Sequence, residues 1–242
     1  MNFNKPHINR LDTVDSTNSE AARHYDSAAD LEVWAADFQE AGRGLQQNRW
    51  ESEAGQNLLF SIFFRPKNLL AEKQFLLSQL VSLSLYETLQ KEGINAIIKW
   101  PNDIYAGKKK IAGILIENHI SGAYVSSSIA GIGLNVNQAV FHTASNPTSM
   151  FLETNRLFSL PLVLQEILNN VTKYYLSVNP EKLQEKYLSH LLFYKEWANY
   201  TTPDGMFFKA QIVDIRPSGE LVLMNETGDK QIFMFKEVNL QW

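Results

Sequence analysis

The sequence predicts an α+β protein in which helices pack on a mixed β-sheet, with a small β-barrel at the C-terminal end. Short apolar, strand-like runs alternate with helical stretches as far as Trp197, and four short strand-like runs separated by turn sequences follow Gly205. A mixed order of strands and helices followed by a purely β segment is typical of this class. We therefore expect a large domain of residues 1–198 and a small β domain of residues 199–242.

The composition is that of a globular chain without thiol chemistry. The 242 residues include 45% hydrophobic and 20% charged residues, carry a net charge of −4, and contain no cysteine. A negative net charge argues against general nucleic-acid binding, and the absence of cysteine excludes disulfides and cysteine zinc sites. No apolar run reaches the roughly 18 residues that cross a bilayer, and the N-terminus lacks a signal-peptide core. We expect a cytoplasmic protein that binds neither nucleic acid nor membrane.

Strands in the first half of the chain are indicated by short apolar runs, and they are expected at residues 8–14, 32–38, 57–65 and 96–100. Leucines at helical spacing predict a helix that begins near Leu76 and ends at Gly93. Another helical stretch begins at Glu20, and Ser16 or Thr17 is expected to cap it, with Thr17 and Glu20 forming a capping box.

In the second half, strands are expected at residues 110–117 and 123–134, and a short helical piece after residues 146–149. Pro161 and Pro180 each open an amphipathic helix, since proline is favoured in the first helical turn.

The stretch 99–117, KWPNDIYAGKKKIAGILIE, is the strongest candidate for a functional site. Pro101 ends the preceding strand, so Asn102 and Asp103 are expected just past a strand end, where open sheets often present ligand groups. Lys99 lies inside an apolar run, and a buried ammonium is costly unless it is paired. The alternative is an ordinary turn followed by a solvated hairpin tip.

Two further segments offer groups to a ligand. Ser16, Thr17 and Asn18 stand at a strand-to-helix turn and supply donors and acceptors for a small polar molecule. The loop 39–50 carries two glycines and two arginines and ends at Trp50. Glycine lets backbone N–H groups approach phosphate oxygens, and arginine neutralises them. The alternatives are a simple helix cap and a surface loop with a structural tryptophan.

Five motifs in a fixed order carry a family resemblance: DSTN at 15–18, QEAGRG at 39–44, KWPND at 99–103, KIAGILIE at 110–117 and GIGLNVN at 131–137. Together they resemble the biotin protein ligases, in the short form without a DNA-binding domain. The resemblance implies a class II synthetase-like catalytic domain and an SH3-like C-terminal barrel. It leaves open a monomer or a homodimer.

The resemblance also implies a two-step reaction. Biotin and ATP, with Mg²⁺, give biotinyl-5′-AMP, and a lysine of a biotin carboxyl carrier protein or a carboxylase subunit then receives the biotin. Two alternatives are a lipoate or octanoate ligase or transferase of the same superfamily, and a non-catalytic paralogue that binds biotin or a carrier domain.

Site residues carried over from the resemblance fall into three groups. The catalytic group is Lys110, Asp103 and Arg43, with Asp103 also the one candidate side chain for Mg²⁺. The biotin-binding group is Ser16, Thr17, Asn18, Gln39, Arg43, Gly44, Leu45, Lys110 and Gly113. The ATP and adenylate group is Arg43, Arg49, Trp50, Lys99, Asn102, Lys110 and Asn135.

The glycine-arginine loop departs from the family pattern. Many relatives read GRGRxGRxW, whereas this chain reads GRGLQQNRW, so Leu45 and Asn48 replace arginines and Gln47 replaces a glycine. Side-chain contacts of the missing arginines are lost. We therefore hypothesise that retention of the adenylate depends more on Arg43 and Arg49 than in relatives with the fuller motif.

Overall fold

The computed structural model describes residues 6–44, 49–177 and 179–241. A seven-stranded mixed sheet forms its larger part. The strands are β1 (Ile8–Val14), β2 (Val33–Gln39), β3 (Leu58–Phe64), β4 (Ala96–Lys99), β5 (Asp103–Ala106), β6 (Lys109–Ser121) and β7 (Tyr124–Leu134). They lie in the order β1-β2-β3-β7-β6-β5-β4. β1 and β2 run parallel and the other neighbours antiparallel, which confirms the predicted mixed sheet.

Helices cover this sheet. They are α1 (Thr17–Arg23), α2 (Phe75–Lys91), α3 (Met150–Thr154), α4 (Leu160–Leu176) and α5 (Pro180–Ser189). Helix α1 contacts β2, β3 and β7, whereas α2 contacts β4, β5 and β6 and also packs on α4 and α5.

Strand β3 is buried along its whole length. Phe60, Ile62 and Phe64 join the main core with α2, while Phe63 packs with Trp34 and Ala21 of α1 in a second, smaller cluster. Successive side chains of a strand point to opposite faces, so β3 has helices on both sides. This explains why its sequence is a nearly continuous apolar run.

The C-terminal part forms a second, antiparallel sheet of five strands: β8 (Trp197–Thr201), β9 (Phe207–Ile215), β10 (Leu221–Asn225), β11 (Lys230–Phe233) and β12 (Asn239–Gln241). Their order is β11-β10-β9-β8-β12. The predicted small C-terminal β unit is confirmed, but the expectation of four strands missed β8. Only Ala198 and Tyr200 of β8 are buried, so its apolar pattern is too short to stand out. The division at residues 198/199 stays a prediction.

The two sheets share one continuous core, since Tyr200 and Ile212 belong to the same cluster as Phe60. Trp100 Nε1 donates to the carbonyl of Gly219 at 2.9 Å, and this bond joins the end of β4 to the second sheet. Within the described ranges, no helix is long and apolar enough to traverse a lipid bilayer.

Two local expectations were wrong. Helix α1 begins at Thr17, not Glu20, and Ser16 occupies the cap position without a side-chain capping bond. The hydroxyl of Thr17 donates to Gln39 instead, so the predicted capping box does not form. Asp103 does not lie in a loop past a strand end, because it is the first residue of β5 and pairs with Lys99 across a tight hairpin.

Candidate active site

Lys110 and Asp103 form a close ion pair on adjacent strands. Lys110 lies on β6 and Asp103 on β5, and Lys110 Nζ is 2.6 Å from Asp103 Oδ1. A register irregularity in this strand pair, between Ile104 and Tyr105, sets the local offset. The side chains are 31% and 16% exposed respectively, so the ammonium reaches a solvent-filled space while the carboxylate beneath it is nearly enclosed.

A second ammonium stands beside this pair. Burial lowers the pKa of Lys99, the Asp103 charge opposes that effect, and the Lys110 charge adds to it. Burial and the Asp103 carboxylate raise the pKa of Tyr105 to about 12. Asp103 thus lies among two ammonium groups and a neutral phenol, an arrangement that favours a further anion close to the lysines.

A buried polar network joins the start of α1 to the sheet. Gln39 Oε1 accepts from the backbone N–H of Thr17 at 2.7 Å and from its hydroxyl at 3.1 Å. The Ser61 hydroxyl on β3 donates to Asn18 Oδ1 at 2.6 Å and lies 2.8 Å from Thr17 Oγ1. Ser16, Thr17, Asn18 and Ser61 are all buried. The network holds several polar side chains in fixed orientations before any ligand arrives.

Glu117 connects this network to the glycine-arginine loop. Its Oε2 accepts from Asn18 Nδ2 at 2.7 Å and from Arg43 Nη2 at 3.2 Å. Sequence reasoning missed both Glu117 and Ser61 as site residues. The signals were a carboxylate closing the apolar run of β6 and one hydroxyl within LLFSIFF.

Glycines of β6 and β7 make room for two site side chains. A Cβ at Gly131 would lie 2.1 Å from Asn18 Oδ1, and one at Gly133 would lie 2.4 Å from the Trp50 ring. At Gly113, a Cβ would lie 2.9 Å from the same ring. The Trp50 side chain therefore lies close to both Gly113 of β6 and Gly133 of β7.

Two adjoining cavities meet at Lys110. The first cavity, of about 200 Å³, is lined by these predicted site residues: Ser16, Thr17, Asn18, Gln39, Arg43, Gly44, Arg49, Trp50, Lys99, Asn102, Asp103, Lys110 and Gly113. The second cavity, of about 640 Å³, is lined by Asn135, Tyr105 and the segment 141–147, among others. Arg49, Trp50, Asp103 and Lys110 line both.

The predicted site residues are thus brought together, with one exception. Leu45, like Gln47 and Asn48, lies outside the described residues. The connection between β11 and β12 also contributes Phe235 to the first cavity, a residue that sequence reasoning did not select.

Asp103 is a poor anchor for a resident metal ion. Over residues 6–44, 49–177 and 179–241, no three histidine, aspartate or glutamate side chains are grouped so as to bind a metal. A lone carboxylate, already paired with Lys110, matches the way proteins bind Mg²⁺ only where substrate phosphates supply further oxygens.

Comparison with known proteins assigns the family. The model of the Biotin/lipoate A/B protein ligase family matches residues 11–135, which is more than half of the chain. The chain belongs to this family. The matched residues run from β1 to the end of β7, and they include every described residue predicted for the site.

Two relatives match about half of the chain. The chain is 35% identical over 134 residues to a bifunctional ligase/repressor BirA of Bacillus spizizenii, covering 54% of this chain and 41% of the relative. It is 36% identical over 130 residues to a biotin–[acetyl-CoA-carboxylase] ligase of Paracoccus denitrificans, covering 52% and 53% respectively. The matched region thus spans about half or less of these relatives.

A solved structure extends the likeness to almost the whole chain. The biotin protein ligase of Aquifex aeolicus, in complex with biotin and ATP, superposes with a TM-score of 0.76 at 25% identity. The match covers 97% of this chain and 98% of that one. The likeness confirms the predicted fold class, with the mixed sheet and the small C-terminal sheet in one arrangement.

Proposed function

We propose that this chain is an ATP-dependent biotin protein ligase. It activates biotin as biotinyl-5′-AMP and transfers the biotinyl group to a lysine of a biotin carboxyl carrier domain. The observation that carries the proposal is the position of Lys110, which stands with Asp103 in the wall shared by the two cavities. A group at that junction touches both reactants of a condensation between an acid and a nucleotide.

The first cavity suits the bicyclic ring of biotin. A ureido group offers two N–H donors and one carbonyl acceptor, and Ser16, Thr17, Asn18 and Gln39 supply matching polar groups in a buried wall. A buried ureido group left without partners costs about 1–3 kcal/mol for each unpaired group. The polar side chains of this wall therefore favour the ureido ring of biotin over an acid that offers only an alkyl chain.

In the first step, an oxygen of the biotin carboxylate attacks the α-phosphorus of ATP, and pyrophosphate leaves. Two anions must approach each other, which is unfavourable without a cation between them. Lys110 provides that positive charge, and the ion pair with Asp103 fixes its direction. A preorganised ammonium also stabilises the charge that develops on the phosphoryl oxygens. Mg²⁺ bound with the ATP phosphates, where Asp103 is the side chain that could contact it, would supply further positive charge to the leaving pyrophosphate.

In the second step, the ε-amine of the carrier lysine attacks the carbonyl carbon of the mixed anhydride, AMP leaves, and the nitrogen loses a proton. Asp103 lines both cavities, and we assign it to orienting the incoming amine. Arg43 and Arg49 lie at the first cavity and hold the adenylate phosphate until the carrier arrives.

The named relatives support biotin as the acid and a carboxylase as the source of the acceptor. The Paracoccus relative is named for acetyl-CoA-carboxylase, and the Aquifex structure holds biotin and ATP. The family name also covers lipoate, so the acid is the first point to test.

Pyrophosphate exchange into ATP tests the acid directly. We expect exchange with biotin, none with lipoate or octanoate, and transfer of biotin to a purified carrier domain. Exchange that responds to lipoate alone would assign the chain to the lipoate branch. Biotin binding without exchange or transfer would assign it to a non-catalytic paralogue.

A further inference from the structure

The segment 141–147, part of the connection between β7 and α3, forms one wall of the second cavity. Phe141, Thr143, Ala144 and Pro147 all line that cavity. Residues 142–146 are exposed and form neither helix nor strand. Such a segment has no regular backbone hydrogen bonds of a helix or a sheet, so its position depends on the contacts that other segments make with it.

Glu51 makes the contacts at the middle of this segment. Its Oε1 accepts from the backbone N–H of His142 at 2.5 Å, and its Oε2 accepts from the backbone N–H groups of Thr143 and Ala144 at 2.8 and 2.7 Å. Oε2 also accepts from the Thr143 hydroxyl at 2.7 Å. A single carboxylate therefore satisfies three consecutive backbone donors.

Among the described residues, the other hydrogen bonds to this segment lie towards its C-terminal end. Asn146 Nδ2 donates to the carbonyl of Lys108 at 2.7 Å, and the N–H of Lys110 donates to the carbonyl of Asn146 at 2.9 Å. Glu51 is the residue whose side chain accepts the hydrogen bonds from residues 142–144. Since Glu51 directly follows Trp50, the same residue links this stretch to the indole that lies across Gly113 and Gly133.

Resting on the proposed function, we propose that Glu51 is a positioning residue for the nucleotide. It fixes the segment 141–147 against Trp50 and so shapes the cavity that takes the adenosine part of ATP. Glu51 itself lines the second cavity but not the first, and we assign it no part in the chemical steps. Its removal changes how well ATP is held, while the biotin side of Lys110 keeps its shape.

The charge state of Glu51 is consistent with this role. Partial burial by itself raises the pKa of Glu51, but the bonds from His142, Thr143 and Ala144 outweigh it and bring the pKa to about 2. The carboxylate is therefore ionised near neutral pH, and charged acceptors make the stronger hydrogen bonds.

The test compares Glu51→Ala with Glu53→Ala. Glu53 carries the same charge two residues on and is exposed, and its carboxylate accepts no hydrogen bond from the described residues. We expect Glu51→Ala to raise the KM for ATP in biotin-dependent pyrophosphate exchange by at least about tenfold, with little change in the Kd of biotin or in Tm. Glu53→Ala should match the wild type.

Hydrogen exchange of the amides of residues 142–144 gives a readout that does not need turnover. We expect faster exchange of these amides in Glu51→Ala and unchanged exchange in Glu53→Ala, since only the first loses their acceptor. If no added acid supports pyrophosphate exchange into ATP by the wild type, the proposed function fails. The amide measurement still shows whether Glu51 holds residues 142–144.

Three results would overturn the inference. An unchanged KM for ATP would remove Glu51 from nucleotide binding. A lower KM would mean that the carboxylate competes with the nucleotide for the same N–H groups. Equal losses in biotin binding and in Tm would make the role a general structural one.

Discussion

At the scale of single residues, the site depends on where one ammonium group is held. Lys110 is directed by Asp103 at 2.6 Å, and it stands where the two cavities meet. The neighbouring lysines, Lys108 and Lys109, are exposed. Three consecutive lysines in the sequence thus have different environments, because the strand pairing of β5 and β6 directs only Lys110 towards Asp103.

Replacing Lys110 by alanine should stop adenylate formation without unfolding the protein. Loss of a fixed charge that stabilises a transition state typically costs about 10²–10³ in rate. We expect biotin-dependent pyrophosphate exchange to fall by at least that factor, with an unchanged circular dichroism spectrum. Lys109→Ala is the matched control and should retain wild-type exchange. Equal activity in the two variants would remove Lys110 from the chemistry.

Arg43→Ala should shorten the time for which the adenylate stays bound. Arg43 lines the first cavity and is anchored by Glu117 at 3.2 Å, so its guanidinium is held in place at the site proposed for the adenylate. Pre-formed biotinyl-5′-AMP should dissociate faster by about tenfold in a chase experiment. Arg10→Ala, on β1 and away from both cavities, serves as the control. Retention as long as in the wild type would contradict our reading of the altered loop.

At the scale of elements, one polar cluster ties three helices together. Glu87 of α2 accepts from the Tyr174 hydroxyl of α4 at 2.6 Å and pairs with Lys186 of α5. Burial by itself raises the pKa of Glu87, but the bonds from Lys186 and Tyr174 outweigh it and lower the pKa. Burial lowers the pKa of Lys186, and the bonds to Glu87 and Tyr174 reverse that and raise it.

These directions predict how stability depends on pH. A carboxyl with a lowered pKa stabilises the fold above its ordinary value of 4.5, and that contribution is lost as the pH falls through the folded-state pKa. The raised pKa of Lys186 gives a contribution present below 10.5 and lost at higher pH. The cluster is therefore most stabilising between these values.

Glu87→Gln should remove the part of the stability that is lost at acidic pH. We expect Tm near neutral pH to fall by roughly 2–4 °C, and the further decline of Tm below about pH 5 to become shallower than in the wild type. Glu166→Gln is the matched control, because Glu166 of α4 pairs with Lys91 of α2 at 2.9 Å in a more exposed position. If Tm falls equally at acidic pH in the wild type, Glu87→Gln and Glu166→Gln, the cluster does not contribute to the pH dependence of stability.

At the scale of the whole molecule, the two sheets behave as one packed body. Tyr200 and Ile212 of the second sheet share a core cluster with Phe60 and Ile98 of the first. The bond from Trp100 to Gly219 and the edge contact of Trp100 with Phe235, at 6.1 Å between ring centroids, lie beside the first cavity. The connection between β11 and β12, which carries Phe235, is thus part of the wall of the site.

We expect this shared core to unfold in a single transition. Two parts with one continuous apolar core lose that core together, because neither can keep its share when the other opens. Calorimetry should give one peak, with equal calorimetric and van't Hoff enthalpies, and Trp fluorescence should report the same midpoint. Two separable transitions would show that the sheets are independent folding units.

Much of the element pattern could be predicted from sequence. The buried run of β3, the leucine spacing of α2 and the prolines that open α4 and α5 each have a local physical cause, and the structure has these elements where the pattern indicates them. The failures have non-local causes. Thr17 is a residue type that often caps helices, but its hydroxyl donates to Gln39, which is distant in sequence.

The amino-acid sequence by itself determined which segments become strands and helices, and which short motifs carry charged and polar groups. Both follow from the spacing of apolar residues and from side-chain chemistry within a few positions of each other. The tertiary structure decided that β7 lies between β3 and β6, and therefore that Asn18 meets Glu117, that Trp50 lies on Gly133, and that Glu51 meets residues 142–144. These partners are far apart along the chain, and only the packing of the sheet brings them within hydrogen-bonding or van der Waals distance.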